Sequence, residues 1–513
     1  MKTLLLLFLC FAGPGFEEAV LYLCGASCME DLDQTTLEAY RALELHPVEL
    51  NLSPRSRLLS CGLLSPFQVA ALIDERERSG DILSYTELAL VDGFGPEYAE
   101  ALKPFTRLSS SGPPGKRNAH KLHHDLMLRA SAKSVDKLQY AAGFRYKASL
   151  GEMAELNWAA RSTYDDVSPG IGTLSAAYYG RKYLGKVILG HFNARLGQGL
   201  AVWSGFSLQP WSSVASFRRS PTGFSATGSY NPGHCGVAAD FDYKRWSVAA
   251  AYSFADGTPM GYLSYTGKRF TTGLNATSKA LSADFRIGLP NVGLYGELCW
   301  KGRPEGVLGA FWIPSYGIKI GAMGRLSEGL AEVAAGASSR TLEGVVYYSS
   351  KQFRLMGKWS PSLSAGALVI SPSIRAAACK KKDWRLEGRG ELKLEAWKCV
   401  LKSRVDLVHT KDLAWLFNAE AGREAEKFKL FARWTLFRVD SWEGRIYVYE
   451  RDAPGNFNVP AYYGKGWAAS IYGVWKPSRR HSFYLRVSDV EYPWMTDTKS
   501  GKLEVKLQYQ LSL

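Results

Sequence analysis

The chain ends in a run that alternates strictly between apolar and polar side chains, Leu503-Glu504-Val505-Lys506-Leu507-Gln508-Tyr509-Gln510-Leu511-Ser512-Leu513. Successive side chains on a strand point to opposite faces, so this run predicts a strand with one apolar and one polar face. Its length suits the roughly 9–11 residues with which a tilted strand crosses a bilayer, and apolar-out, polar-in alternation is typical of a membrane barrel. The terminal side chains Tyr509, Leu511 and Leu513 also resemble the signal that barrel-assembly machinery recognises.

Similar segments recur upstream, at 121–132, 137–148, 174–181, 186–195, 245–254, 292–300, 318–326, 344–350, 384–395, 427–437, 467–475 and 483–490. Allowing for weaker segments, we predict a large antiparallel transmembrane β-barrel of about 16–22 strands over residues 120–513. Aromatic residues near the segment ends suit the interfacial girdles of such a barrel. An array of soluble β-sandwiches is the alternative, but sandwiches rarely end on a strand of this kind.

Composition narrows the class of protein. The chain has 513 residues, 46% of them hydrophobic and 13% aromatic, which excludes intrinsic disorder. No apolar run after the first dozen residues approaches the roughly 20 residues of a spanning helix, which excludes a polytopic helical membrane protein. Lys2 followed by the apolar run Leu4–Ala12 predicts a secretory signal peptide over residues 1–15, and therefore export.

The charge is divided unevenly along the chain. Residues 1–105 contain 7 Lys+Arg and 16 Asp+Glu, a net charge of −9. The whole chain has 63 and 48, so residues 106–513 have 56 and 32, a net charge of +24. The basic balance belongs entirely to the predicted barrel, where it suits a lumen for anionic solutes or contacts with glycolipid phosphates.

Residues 46–108 have the punctuation of short helices. Ser53-Pro54 and Ser65-Pro66 have the order of an N-cap and a first helical residue. Gln68 completes a capping box with Ser65, and Gly80 is placed to end that helix. This pattern predicts a first helical pair.

A second helical pair follows directly. Ser84 and Glu87 have the spacing of a capping box, and Gly93-Phe94-Gly95 turns the chain into a helix that ends near Pro104. Glycines at this hairpin allow a phosphate to approach the backbone closely, where free N–H groups of the next helix point at it. Phe94 fills the space between the two helices.

The stretch from Asn51 to Phe105 resembles the tandem helix-hairpin-helix domain of competence-type DNA receptors and of exported Bacteroidetes proteins, where it precedes an outer-membrane barrel. The resemblance implies that Gly93, Phe94 and Gly95 contact a phosphate backbone. The first hairpin has only Gly62 where the phosphate-binding pattern has two glycines. Residues 46–105 also contain five basic and nine acidic residues, whereas non-specific DNA affinity depends on Lys and Arg. This balance favours a structural or docking role over DNA binding.

A glycine-rich segment at 197–206 resembles a stretch of the same Bacteroidetes proteins. It leads into a long loop, about 203–232. The Gly-x-Gly opens no helix and lacks the third glycine of a dinucleotide fingerprint. We predict a loop folded into the lumen as a constriction, with a surface loop as the alternative; its candidate residues are Gly197, Gly199, Trp203, Arg218 and Arg219.

The sequence contains no recognisable catalytic set, so we predict no enzyme, no metal site and no cofactor. The densest cluster of potential ligands is His120, His123, His124 and Asp125. On a strand, His123 and His124 face opposite sides and cannot chelate one ion together.

We therefore predict five segments: a signal peptide (1–15), an acidic N-terminal segment (16–45), a small all-α tandem helix-hairpin-helix domain (46–108), a linker (109–119) and an outer-membrane β-barrel (120–513). The expected function is a non-enzymatic pore or transport barrel whose periplasmic helical module docks a partner or gates the lumen. The alternative is a DNA-binding or DNA-uptake protein. Expected partners are the outer membrane with its glycolipids, the barrel-assembly machinery and an unidentified periplasmic protein; nucleic acid is a less favoured partner.

Overall fold

The computed structural model describes residues 15–110, 122–166, 168, 170, 172–180, 182–315, 317–495 and 501–513, and contains a helical domain and a closed barrel. The predicted signal peptide, most of the predicted linker and His120 lie outside these residues. The helical domain, residues 15–110, contains α1 (Phe16–Cys24), α2 (Gln34–Leu45), α3 (Arg55–Ser60), α4 (Pro66–Ser79), α5 (Tyr85–Leu88) and α6 (Pro96–Leu102). None of these helices is long and apolar enough to cross a membrane.

Helix α4 begins as its sequence predicts. The Ser65 side chain accepts a hydrogen bond from the Gln68 backbone N–H, and the Gln68 side chain accepts one from the Ser65 N–H, which completes the capping box. At α5 only half of the predicted box forms. Ser84 accepts from the Glu87 N–H at 3.1 Å, but the Glu87 carboxylate accepts from the Leu83 N–H instead.

The predicted cap at Ser53 is wrong. Helix α3 begins at Arg55, and its N-cap is Pro54, which has no side-chain cap hydrogen bond. The Ser53 hydroxyl instead donates to the Glu152 carboxylate of the barrel, at 3.0 Å. The Ser53 hydroxyl therefore makes a tertiary contact with the barrel and does not cap the helix.

The barrel wall is built from antiparallel strands joined in chain order. Within the described residues these are β1 (Leu122–Ser134), β2 (Leu138–Leu150), β3 (Ala154–Arg161), β4 (Thr173–Tyr179), β5 (Leu184–Arg195), β6 (His234–Tyr243), β7 (Trp246–Ser253), β8 (Thr258–Thr266), β9 (Phe270–Thr277), β10 (Leu281–Gly288), β11 (Val292–Trp300), β12 (Pro304–Ser315), β13 (Ile318–Ser327), β14 (Leu330–Ser338), β15 (Leu342–Ser349), β16 (Gln352–Trp359), β17 (Leu368–Lys380), β18 (Trp384–Ala396), β19 (Cys399–His409), β20 (Leu413–Glu424), β21 (Phe428–Val439), β22 (Gly464–Trp475), β23 (His481–Glu491) and β24 (Lys502–Ser512).

The first and last wall strands close the ring. β1 pairs antiparallel with β24, from Asp125 opposite Ser512 to Ser134 opposite Leu503. Along β7 exposed and buried residues alternate, with Trp246 and Tyr252 outside. The terminal strand therefore closes the ring, and a closed ring leaves no unpaired sheet edge. The outward-facing residues of β7 are apolar.

The predicted number of strands is too low, since the described wall has 24. All thirteen segments named from the sequence coincide with wall strands. The missed strands include β9 and β14, whose small and polar residues weaken the contrast between the two faces, and β10, which alternates clearly but was not identified. Leu330–Ser338, for example, places Ala on both faces.

Candidate functional site

The inner face of the wall is polar, and several of its buried charges are paired. Lys186 is 1% exposed and its Nζ lies 3.0 Å from the Asp240 carboxylate. Arg433 and Glu420 form a second such pair at 2.6 Å. Paired burial is the expected arrangement, because an isolated buried charge is costly.

The helical domain lies inside this ring. Its side chains pair with inward-facing residues on well-separated strands: Glu38 with Arg145 of β2, Ser60 with Lys186 of β5, Glu30 with Arg404 of β19 and Glu18 with Lys393 of β18. The Ser27 carbonyl also accepts from Lys358 of β16 at 2.7 Å. A domain that contacts inner faces this far apart around the ring occupies the lumen.

Glu30, on the short 3-10 turn Met29–Asp31, makes the most concentrated of these contacts. Its carboxylate lies 3.1 Å from an Arg389 Nη atom, pairs with Arg404, and accepts from the Tyr449 backbone N–H at 2.9 Å. Burial opposes ionisation of Glu30, but Arg389 and Arg404 outweigh it and hold the pKa of this carboxyl well below its usual range. Glu30 is therefore an anion fixed between the domain and the wall.

Two long connections also enter the lumen. The β5–β6 loop, residues 196–233, is held by Glu297 of β11, which is 1% exposed and accepts from the backbone N–H groups of Gln198 at 2.7 Å and Leu200 at 3.1 Å. Further along, the Phe217 carbonyl accepts from the Tyr295 hydroxyl at 2.8 Å. These contacts place the loop on the inner face of the wall.

The predicted residues of this loop fall into two groups. Gly197 and Gly199 both have positive φ, and a Cβ on Gly199 would lie 2.5 Å from Arg219 and 2.9 Å from Trp203. The Arg219 guanidinium lies over the Trp203 ring, 5.2 Å from its centroid. Gly199, Trp203 and Arg219 form one packed unit, whereas a Cβ on Gly197 would meet Glu297 and Arg218 lies over the Phe311 ring.

The β21–β22 loop, residues 440–463, was missed by sequence reasoning. Arg451 bonds Glu420 at 2.8 Å and lies 3.5 Å from Glu17 of the helical domain, and Asp452 pairs with Lys506 at 2.9 Å. The signal in the sequence is the charged run Glu450-Arg451-Asp452 in a connection far longer than a hairpin turn. Charges in that setting need partners, and here the inner wall and the helical domain supply them.

The hairpin at Gly93, Phe94 and Gly95 belongs to the helical domain within the lumen. Phe94 is buried, and the Gly93 carbonyl accepts from the Gln68 side chain at 2.8 Å. Glu97, in the first turn of α6, pairs with Arg340 of the β14–β15 hairpin at 2.8 Å. A barrel cation therefore contacts the helix that was predicted to receive a phosphate.

The chain terminus forms part of the barrel seam. Tyr509 faces outward, where its hydroxyl contacts His481 at 2.7 Å and its ring lies 5.0 Å from that of Phe483. Leu511 pairs with Leu126 of β1, and Leu513 exchanges two backbone hydrogen bonds with His124. All three predicted signal residues thus lie at the closing strand.

The histidine cluster is split across the wall. The His124 ring contacts the Tyr146 hydroxyl on the outer face, whereas Asp125 faces the lumen beside His46 of the helical domain. In the described ranges, no group of three His, Cys, Asp or Glu side chains could hold a metal ion.

A cavity of about 2240 Å³ remains between the helical domain, the β5–β6 loop and the wall. Its charged lining includes Arg57, Arg145, Arg218, Arg286, Lys319, Glu38, Glu155 and Glu343. The lumen is therefore occupied but retains a large space that is lined in part by charged side chains.

No known protein family and no curated protein matches the sequence. Solved Pseudomonas aeruginosa structures align with it. OpdL is 10% identical, and the alignment covers 76% of this chain and 98% of OpdL with a TM-score of 0.32. OpdQ is 9% identical, with 77% of this chain and 98% of OpdQ covered and a TM-score of 0.33; outer membrane protein OpdK is 9% identical, with 77% of this chain and 99% of OpdK covered and a TM-score of 0.31. At these values the strand pairing described above, rather than the alignment, defines the fold.

Proposed function

We propose that this chain is a non-enzymatic outer-membrane transport barrel whose acidic helical domain plugs and gates the lumen. The apolar outer face of the wall supports placement in a bilayer, because exposed large apolar side chains such as Leu298 and Leu308 point away from the lumen. The two helical pairs α3–α4 and α5–α6 are, in this proposal, a tandem helix-hairpin-helix used for docking and gating.

The lengths of the connections support an orientation. Strand β1 begins, and strand β24 ends, at the end of the barrel that has the shorter connections, such as 244–245 and 397–398. The connections 162–172, 196–233 and 440–463 lie at the opposite end. Outer-membrane barrels have short periplasmic turns and longer external loops, and this supports a periplasmic position for the helical domain.

Charge complementarity between the plug and the wall is the observation that carries the gating proposal. The helical domain has 7 basic and 16 acidic residues within 15–110, and its buried acids face arginines of the wall. Each pair holds the domain only while it stays inside the ring. Displacement of the domain would open a path past residues that now pair with it.

The test is single-channel recording in planar bilayers on the full chain. Wild-type protein should be closed most of the time, and the double variant Glu30→Gln with Glu38→Gln should open more often, since it removes contacts to β18–β19 and β2. The matched control is Glu44→Gln with Glu75→Gln, two acids that pair within the helical domain. Equal opening in both double variants, or no conductance in any, would contradict the proposal.

A further inference from the structure

We propose that Arg218, Arg286 and Lys319 form a binding site for a small solute with a multivalent oxyanion group, such as a phosphate. The inference deepens the proposed transport function, on which it rests for its biological meaning. The three residues come from different elements: Arg218 from the β5–β6 loop, Arg286 from β10 and Lys319 from β13. All three line the cavity beside the helical domain.

Each of the three cations lies against an aromatic ring, and two of them share one ring. The Lys319 Nζ lies 4.0 Å and the Arg218 Cζ 5.7 Å from the centroid of the same Phe311 ring. Phe311 itself is buried and stacked against Phe217 and Tyr295. The Arg286 Cζ lies 6.0 Å from the centroid of Phe67, in α4 of the helical domain. Cation–π contacts of this kind position the charged groups without neutralising them.

Within the described ranges none of the three cations forms an ion pair, in contrast to Arg145, Arg389, Arg404 and Arg451 in the same lumen. Glu343 acts electrostatically on Lys319, but the two residues form no ion pair within the described ranges. The Glu343 carboxylate is already engaged, because it accepts from the Val214 N–H at 2.9 Å and from the Ser27 hydroxyl at 3.1 Å. The charge of the cluster is therefore left for a ligand.

The chemistry of the cluster selects the ligand class. Three positive groups that share a partly buried cavity repel one another, and a polyanion would remove this repulsion. The planar guanidinium groups of Arg218 and Arg286 offer paired donors that match two oxygens of a phosphate, and Lys319 adds a point charge. The neighbouring Tyr98 hydroxyl donates its proton to the Leu63 carbonyl, so it is not counted among the donors of this site.

The test is isothermal titration calorimetry, in which pyrophosphate is titrated into the detergent-solubilised full chain at physiological salt. We expect saturable binding that weakens about tenfold or more in Arg286→Gln and in Lys319→Gln, as loss of a charge-assisted contact implies. The matched control is Lys398→Gln, since Lys398 lines a different part of the same cavity. Citrate in place of pyrophosphate distinguishes phosphate from carboxylate recognition.

Absence of binding by the wild-type chain would overturn the site, as would equal loss in Lys398→Gln. The use of two single variants protects the test against one that misfolds, and retention of the barrel is checked by heat-modifiable migration in SDS gels. Because binding is measured at equilibrium, a chain that binds pyrophosphate but never conducts would refute the transport proposal and leave this site standing.

Discussion

Replacement of Glu30 by Gln removes one negative charge from the plug and keeps its shape. In the wild-type chain this carboxylate serves Arg389, Arg404 and the Tyr449 backbone N–H together. The amide retains an oxygen for Tyr449, but it turns an N–H donor toward the guanidinium groups and cannot neutralise them. The substitution should therefore favour displacement of the domain from the lumen without unfolding the barrel.

The size of the effect follows from what remains at the site. Breaking a buried ion pair costs about 3–5 kcal/mol when the remaining charge is left alone. Arg389 and Arg404 both keep Asp406, with oxygen distances of 2.9 Å and 2.5 Å. We therefore expect about 2 kcal/mol, which corresponds to a roughly 30-fold rise in the displaced population.

Limited proteolysis of the full chain measures this population. When opening is fast relative to cleavage, the cleavage rate follows the fraction of protein in the open form. Glu30→Gln should be cleaved within the helical domain about 30-fold faster than the wild type. Glu44→Gln is the control, since Glu44 pairs with Arg41 in its own helix. If both variants are cleaved at the wild-type rate, the Glu30 contact does not hold the domain.

Three further outcomes follow from the same contacts. The pKa of Glu30 is lowered in the folded state, so the ionised carboxylate stabilises the docked domain fully above the usual Glu pKa of about 4.3. This stabilisation is lost as the pH falls through the lowered pKa. The proteolysis rate of the wild type should therefore stay constant from about pH 8 to 5 and rise only in stronger acid. Glu297→Gln should speed hydrogen exchange of the Gln198 and Leu200 backbone amides, measured by mass spectrometry. The control is Glu332→Gln, which should leave this exchange unchanged, because the Glu332 carboxylate accepts from the Tyr347 hydroxyl. With the full chain at physiological salt, the anisotropy of labelled duplex DNA should be the same for the wild type and for Gly93→Val, because the domain that carries this hairpin is acidic; micromolar, salt-sensitive binding that Gly93→Val abolishes would restore the DNA-uptake alternative.

The sequence predicts the barrel well where strand faces differ strongly in polarity. Leu503–Leu513 and Trp246–Ser253 alternate clearly, and both are wall strands. Strands such as Phe270–Thr277 carry Thr, Gly and Asn, whose small or polar side chains suit both a lumen and a turn. Local patterning cannot separate these cases, because the distinction depends on which face meets lipid after the ring has closed.

The site was harder to predict because its members meet only through closure of the barrel. Glu30 and Arg404 are 374 residues apart, and neither has a local motif. Arg218 was identified from its loop, but Arg286 lies on β10, which was not identified, and the pattern around Lys319 predicts a strand without marking a site. Sequence reasoning finds such residues only when they repeat at a fixed spacing, and lumen contacts have none.

The opposite charges of the two parts of the chain take their meaning from the position of the helical domain. A net charge of −9 over residues 1–105 and +24 over the rest would be ordinary in two separate domains with separate partners. Here the acids of the helical domain neutralise arginines that point into the lumen, so each part supplies the counter-charges of the other. Where the domain supplies none, at Arg218, Arg286 and Lys319, the cations stay unpaired beside a cavity. The distribution of paired and unpaired cations thus separates the surface that holds the plug from the surface available to a solute.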